Sequence, residues 1–200
     1  MSDFNPKYQI DNVTSKVVAG LERISEAYKV LLWEKAKLLG LSPIQIQILI
    51  FVSYHSQNLC NVSHLAKEFN LTKPTISDAI RVLLKKELII KTFPSTDSRS
   101  YAVQLTVSGK KVVKETEHFA DPIKQELNTL SNSEQESLFE SIYQLIFKLN
   151  QVGILSVQRT CLGCRFYEEK GSQSYCNLLE KALKSNDIRI DCDEFQLKKI

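Results

Sequence analysis

Cysteine is nearly missing from most of this 200-residue chain: Cys60 stands alone in the first 160 residues, and the other four fall in the last forty. A disulfide framework running through the fold is therefore excluded. Glycine (6), proline (5) and histidine (3) are also sparse. No Gly-rich phosphate loop and no His-Glu metal motif occurs, and there is no internal repeat or low-complexity tract. No apolar run approaches the roughly 18 residues of a membrane span; "IQILIFV" is far too short. The opening "MSDFNPKYQI" has no apolar signal core. These absences predict a soluble, cytoplasmic protein with no membrane partner. In that compartment thiols stay reduced, so a cysteine cluster points to a metal or redox site. Hydrophobic residues make up 43% and charged residues 24%, enough to bury a core. The net charge of +3 argues neither for nor against nucleic acid.

The pattern of what is present is more informative. Val17, Leu21, Ile24, Tyr28, Leu31 and Leu32 repeat at helical spacing over residues 14–39, and Gly40 ends the run. Ser42 then caps a second helix with Pro43 in its first turn. That helix is apolar nearly all round, so it belongs at the centre of a core. Two short helices follow with a tight turn between them. Asn61 caps the first, Asn70 suits its left-handed end, and Thr72 caps the second. "LIIKTF", the turn cluster "PSTDS" and "SYAVQLT" then read as a β-hairpin. A helix-turn-helix followed directly by a hairpin is a winged helix. After Thr106 a helix is expected to about Leu130. A second begins at the Ser131/Glu134 capping box and carries Leu138, Ile142, Leu145 and Leu149.

The second short helix has the character of a recognition helix. Ile76, Ile80 and Leu83 form its apolar stripe. Asp78, Arg81 and Lys85 lie opposite, flanked by Thr75 and Ser77, with Lys73 at the start. Early residues of such a helix meet base edges and later ones phosphates. Residues 62–115 hold ten Lys or Arg and five Asp or Glu, a local net of +5 in a chain of +3. That polarisation favours a nucleic-acid face. Asp97 and Arg99 sit at the hairpin tip, where an arginine enters a minor groove or grips a phosphate.

The stretch from "VSHLA" through the recognition helix, the "TDSRS" wing and "LTVSGKKV" resembles the winged-helix core of MarR-family transcriptional regulators, and the likeness extends over roughly residues 14–150. The resemblance implies a homodimer joined through N- and C-terminal helices, with Arg99 contacting DNA. Glu87 stands where the family usually has glycine, which predicts a different local turn. Asp78 stands where a neutral or basic residue is usual. The expected fold is mainly α (an α+β winged helix), a dimeric winged helix-turn-helix with long flanking dimerisation helices and a small C-terminal metal-binding segment. Residues 1–153 make the DNA-binding and dimerisation domain, with its core at about 42–106, and residues 154–200 a cysteine-rich extension. The expected partners are double-stranded DNA at a pseudo-palindromic operator, a second copy of the chain and a small-molecule effector.

The extension lies outside the usual family pattern. Its spacing is C-x2-C-x11-C-x15-C, through Cys161, Cys164, Cys176 and Cys192. Gly163 allows a tight turn inside the first pair, Gly171 turns a hairpin that returns Cys176, "CNLLEKAL" reads as a short helix, and "DIRIDC" as a strand delivering Cys192. Four thiolates complete a closed tetrahedral shell, so structural zinc is the expected cofactor. An iron–sulfur cluster fits the same ligands and would make a redox sensor. Cys60 reads as a packed or capping thiol. His55, His64 and His118 read as surface or cap residues, with His64 on a solvent side. A metal-dependent enzyme finds little support in the sequence. An interaction module that has lost DNA binding draws some weight from Asp78.

Overall fold

Side-chain caps divide the chain. The computed structural model describes residues 2–93, 101–171 and 173–198. Asn12, Asn61, Thr72, Thr106 and Ser131 each accept the N–H of the residue three positions on, which satisfies a donor that the helix itself leaves free. The helices are α1 (Pro6–Gln9), α2 (Val13–Leu39), α3 (Pro43–Tyr54), α4 (Val62–Glu68), α5 (Lys73–Lys85), α6 (Val107–Thr116), α7 (Asp121–Leu127) and α8 (Asn132–Gln151). Strands β1 (Ile89–Thr92) and β2 (Ala102–Leu105) pair antiparallel, with Ile89 opposite Leu105 and Thr92 opposite Ala102. The Val103 N–H bonds to the Cys60 carbonyl at 2.8 Å, fastening the hairpin to the segment ahead of α4.

The core lies where α3 crosses this unit. Ile46, Ile48 and Leu49 of α3, Leu65 of α4, Ile76, Ile80 and Leu83 of α5, and Ile89 and Val103 of the hairpin are buried in one cluster. Each such side chain contributes about 1.5–3 kcal/mol on burial, so the position of α5 is fixed by its apolar stripe. Asn70 takes φ 49 and closes α4, as its residue type predicts. Glu87 takes φ 55 after α5. The glutamate thus holds the left-handed conformation that glycine adopts freely. Gly109 is required for another reason: a Cβ there would stand 2.0 Å from the Leu88 carbonyl oxygen.

Several local expectations fail for identifiable reasons. The helix expected from Thr106 to Leu130 breaks at residues 117–120. Pro122 lacks an N–H and inside a helix would strike the His118 carbonyl, so it starts α7 instead. Phe119, in the break, packs edge-on to Tyr28 of α2 at 6.4 Å between centroids. "CNLLEKAL" forms no helix. Glu180 turns left-handed at φ 52, and β5 (Lys181–Ala182) pairs with β4 (Gln173–Cys176), which pairs with β3 (Tyr167–Lys170). "DIRIDC" is not a strand; only Asp191 forms a single bridge, to Arg159. Gly163 has no left-handed φ. Its missing side chain makes room for the Gln158 amide, which a Cβ would approach to 2.0 Å. Among the described residues, no single helix is long and apolar enough to cross a membrane.

Candidate nucleic-acid interface and cysteine cavity

Buried Ile76, Ala79, Ile80 and Leu83 turn the other side of α5 outward. Lys73, Thr75, Asp78, Arg81 and Lys85 are exposed on it, and Ser77 is half-buried. Thr75 shares a 2.8 Å hydrogen bond with the Thr72 hydroxyl at the helix start. The Asp78 carboxylate accepts from Arg81 Nη2 at 2.8 Å, with both side chains well exposed. The acid therefore tempers the nearest cation on the face. Lys91 of β1 stands 4.2 Å over the Tyr101 ring beside the wing. Asp97 and Arg99 lie outside the described residues.

Apolar rows remain uncovered on the long helices. Val17, Leu21, Ile24 and Tyr28 of α2, and Leu138, Ile142 and Leu145 of α8, are exposed. Cys60 is buried, its thiol 3.5 Å from the Ser56 carbonyl, and burial pushes its pKa up.

Cys161, Cys164, Cys176 and Cys192 all line one cavity of about 40 Å³, closed by Phe166 and Leu183 among others. All four thiols are free. Among the described residues, however, no three Cys, His, Asp or Glu side chains stand as a finished metal shell. The thiols share the cavity wall without converging on one point. Burial raises the Cys161 thiol above its ordinary pKa, the other three cysteines raise it further, and the Arg189 N–H, 3.5 Å from Cys161 Sγ, works the other way. The knuckle is anchored to α8, where the buried Tyr143 hydroxyl accepts the Leu162 N–H at 3.0 Å. Burial also raises the Tyr143 pKa.

The cluster that sequence reasoning missed centres on Arg159. Its side chain is only 11% exposed and lies between Glu68 of α4 and Asp191. Bonding to Arg159 holds the Asp191 carboxyl down at about 2. His55, at the end of α3, stacks on Phe51 and meets Asp191 at 2.8 Å. His64 is half-buried rather than open to solvent, its buried Nε2 3.4 Å from the Glu68 carboxylate, and desolvation lowers its pKa while Glu68 works the other way. No local periodicity signals these partners.

The fold and the exposed face of α5 define a winged helix-turn-helix protein. More narrowly, the sequence model of the MarR family matches residues 39–100. Among solved structures, the chain is similar to Staphylococcus aureus MepR in complex with DNA, at 26% identity and TM-score 0.58, covering 66% of this chain and 97% of that one. MepR in its DNA-binding conformation gives 26% identity and TM-score 0.59 over 66% and 98%. A further MepR structure, described as a transcription regulator of the multidrug efflux pump MepA, gives 25% and 0.50 over 64% and 95%. No curated protein sequence matches the chain. MarR-family regulators are DNA-binding transcription factors, not enzymes.

Proposed function

We propose that the protein is a sequence-specific transcriptional regulator that binds duplex DNA as a homodimer. The observation that carries this reading is the polar face of α5, exposed opposite a fully buried apolar stripe in a stretch that the MarR-family model matches. Thr75, Ser77, Asp78 and Arg81 meet base edges in the major groove. Lys73 and Lys85 meet phosphates, and Asp97 and Arg99 act from the wing. Asp78 accepts from a cytosine amino group and repels phosphate, so it adds selectivity rather than affinity. The exposed rows on α2 and α8 supply the dimer surface, and two-fold symmetry calls for a pseudo-palindromic site.

The four cysteines hold one structural zinc ion in this reading. Support comes from the donor set and its placement: four thiols of a distant sequence pattern line one apolar cavity. Neutral thiols do not attract one another, so convergence on one point is the ion's work. That is why the shared cavity outweighs the unfinished shell. A cation also reverses the penalty that burial sets on the Cys161 thiolate. A second reading, an iron–sulfur cluster, is favoured by the Arg189 guanidinium and N–H near Cys192 and Cys161, donors of the kind that tune such clusters.

The test is fluorescence anisotropy on the duplex upstream of the protein's own gene, against an unrelated duplex, over a range of salt. The wild type is expected to prefer its own duplex. Arg99→Ala is expected to weaken binding to both and lower the salt slope by about one. Equal affinity for both duplexes, or an unchanged slope, contradicts the assignment.

A further inference from the structure

The cysteine segment grips the helix-turn-helix at two points. Glu68 is the last residue of α4, and its carboxylate receives Arg159 Nη1 at 2.8 Å and Nη2 at 3.1 Å. The Nε edge of the same guanidinium goes to Asp191, with Nη2 also donating to it at 2.9 Å. Asp191 immediately precedes Cys192, whose N–H bonds to the Arg159 carbonyl at 3.2 Å. One nearly buried arginine thus joins α4 to the residue beside a cysteine of the cavity. The second grip is Asn70, in the turn between α4 and α5. Its amide donates to the Ile154 carbonyl, and its oxygen accepts the Ser156 N–H, both at 3.2 Å.

We propose that metal binding by the four cysteines is coupled to DNA binding through Asp191, Arg159 and Glu68, so that the metal-loaded protein binds DNA more tightly. The proposal rests on the metal reading of the cysteine cavity and adds a regulatory role to it. An ion held by Cys192 fixes the backbone at Asp191, and with it the carboxylate that shares Arg159. Arg159 is too buried to lose a partner cheaply. With both partners in place it holds the end of α4, and α4 with the Asn70 turn sets where α5 begins. Without the ion, residues 188–193 keep few backbone bonds: a single bridge to Arg159 and turns at Ser185–Ile188 and Cys192–Phe195. Asp191 then leaves Arg159, and the turn ahead of the recognition helix loosens. Coupling of this kind is reciprocal, so DNA tightens metal binding by the same factor.

The experiment uses the full chain and Zn²⁺ as the probe. DNA affinity is measured for zinc-loaded and chelator-stripped protein, in the wild type, Glu68→Gln and Asp191→Asn. Glu68→Gln touches no cysteine and no residue of the DNA face. Loaded wild type is expected to bind at least about fivefold more tightly than stripped, the lower end of typical coupling. In both variants the ratio is expected to fall toward one while zinc stays at one per chain. Zinc affinity of the wild type, measured by chelator competition with and without the duplex, is expected to shift by the wild-type factor. This arm decides the matter even if a variant fails to fold. One zinc per chain with equal DNA affinity in both states overturns the coupling and leaves the metal site standing. A ratio unchanged by both variants also overturns it, since general loosening of the segment would then explain the effect. No zinc bound overturns the metal site and the coupling together.

Discussion

In the winged helix, α3, α4, α5 and the hairpin bury Ile46, Ile48, Leu49, Leu65, Ile76, Ile80, Leu83, Ile89 and Val103 in one cluster. Among the described residues of 154–198 the buried positions are Gln158, Thr160, Gly163, Cys164 and Leu183, of which two are polar and one is glycine. The first region is held by apolar burial. The second is held by hydrogen bonds and by its clamp on Glu68 and Asn70. About forty residues with so little apolar area need a cross-link or a metal to stay folded. The two regions differ in firmness as well: the apolar cluster fixes α5, and the C-terminal segment has little apolar burial to fix it.

Substitutions at matched positions sharpen this contrast. The largest effect is expected from Ile46→Ala, which leaves a cavity in the apolar cluster and costs about 2–5 kcal/mol in urea unfolding. A cost below 1 kcal/mol would mean that α3 is not the centre of the fold. Next is Gly109→Ala. The added Cβ meets the Leu88 backbone oxygen, which has nowhere to go, so a loss of about 1–3 kcal/mol is expected. The matched change Gly163→Ala meets only the end of the Gln158 side chain, so it should cost less than Gly109→Ala. A larger loss at Gly163 would reverse the ranking of the two regions. The smallest effect is a gain: Glu87→Gly relieves a left-handed glutamate and is expected to stabilise by roughly 0.5–1 kcal/mol. A loss of stability would show that the Glu87 side chain makes a contact worth more than its strain.

The sequence was most legible where local chemistry dictates structure. Ser42, Asn61, Thr72 and Ser131 each begin a helix, and the face of α5 follows from its spacing alone. Legibility failed where distant packing decides. "CNLLEKAL" is made of good helix formers, yet Leu178 and Leu179 line the cysteine cavity and the chain folds back as β5. Pro122 is the local signal for the break before α7. The Arg159 clamp was illegible, because its partners lie 91 and 32 residues away in the chain. Glu87 shows the reverse case: a residue type that seldom adopts the left-handed conformation holds it between α5 and β1.

The central claim is that α5 reads DNA from a symmetric dimer. A hydroxyl-radical footprint of the full chain on its own upstream duplex tests it most directly. The account predicts two protected segments related by a dyad, centred about one helical turn apart. It also predicts that both are lost together in a chain with Leu21 and Leu145 changed to Asp, which puts charges on the exposed rows of α2 and α8. A single unpaired footprint, or two that survive the disruption of those rows, would contradict it.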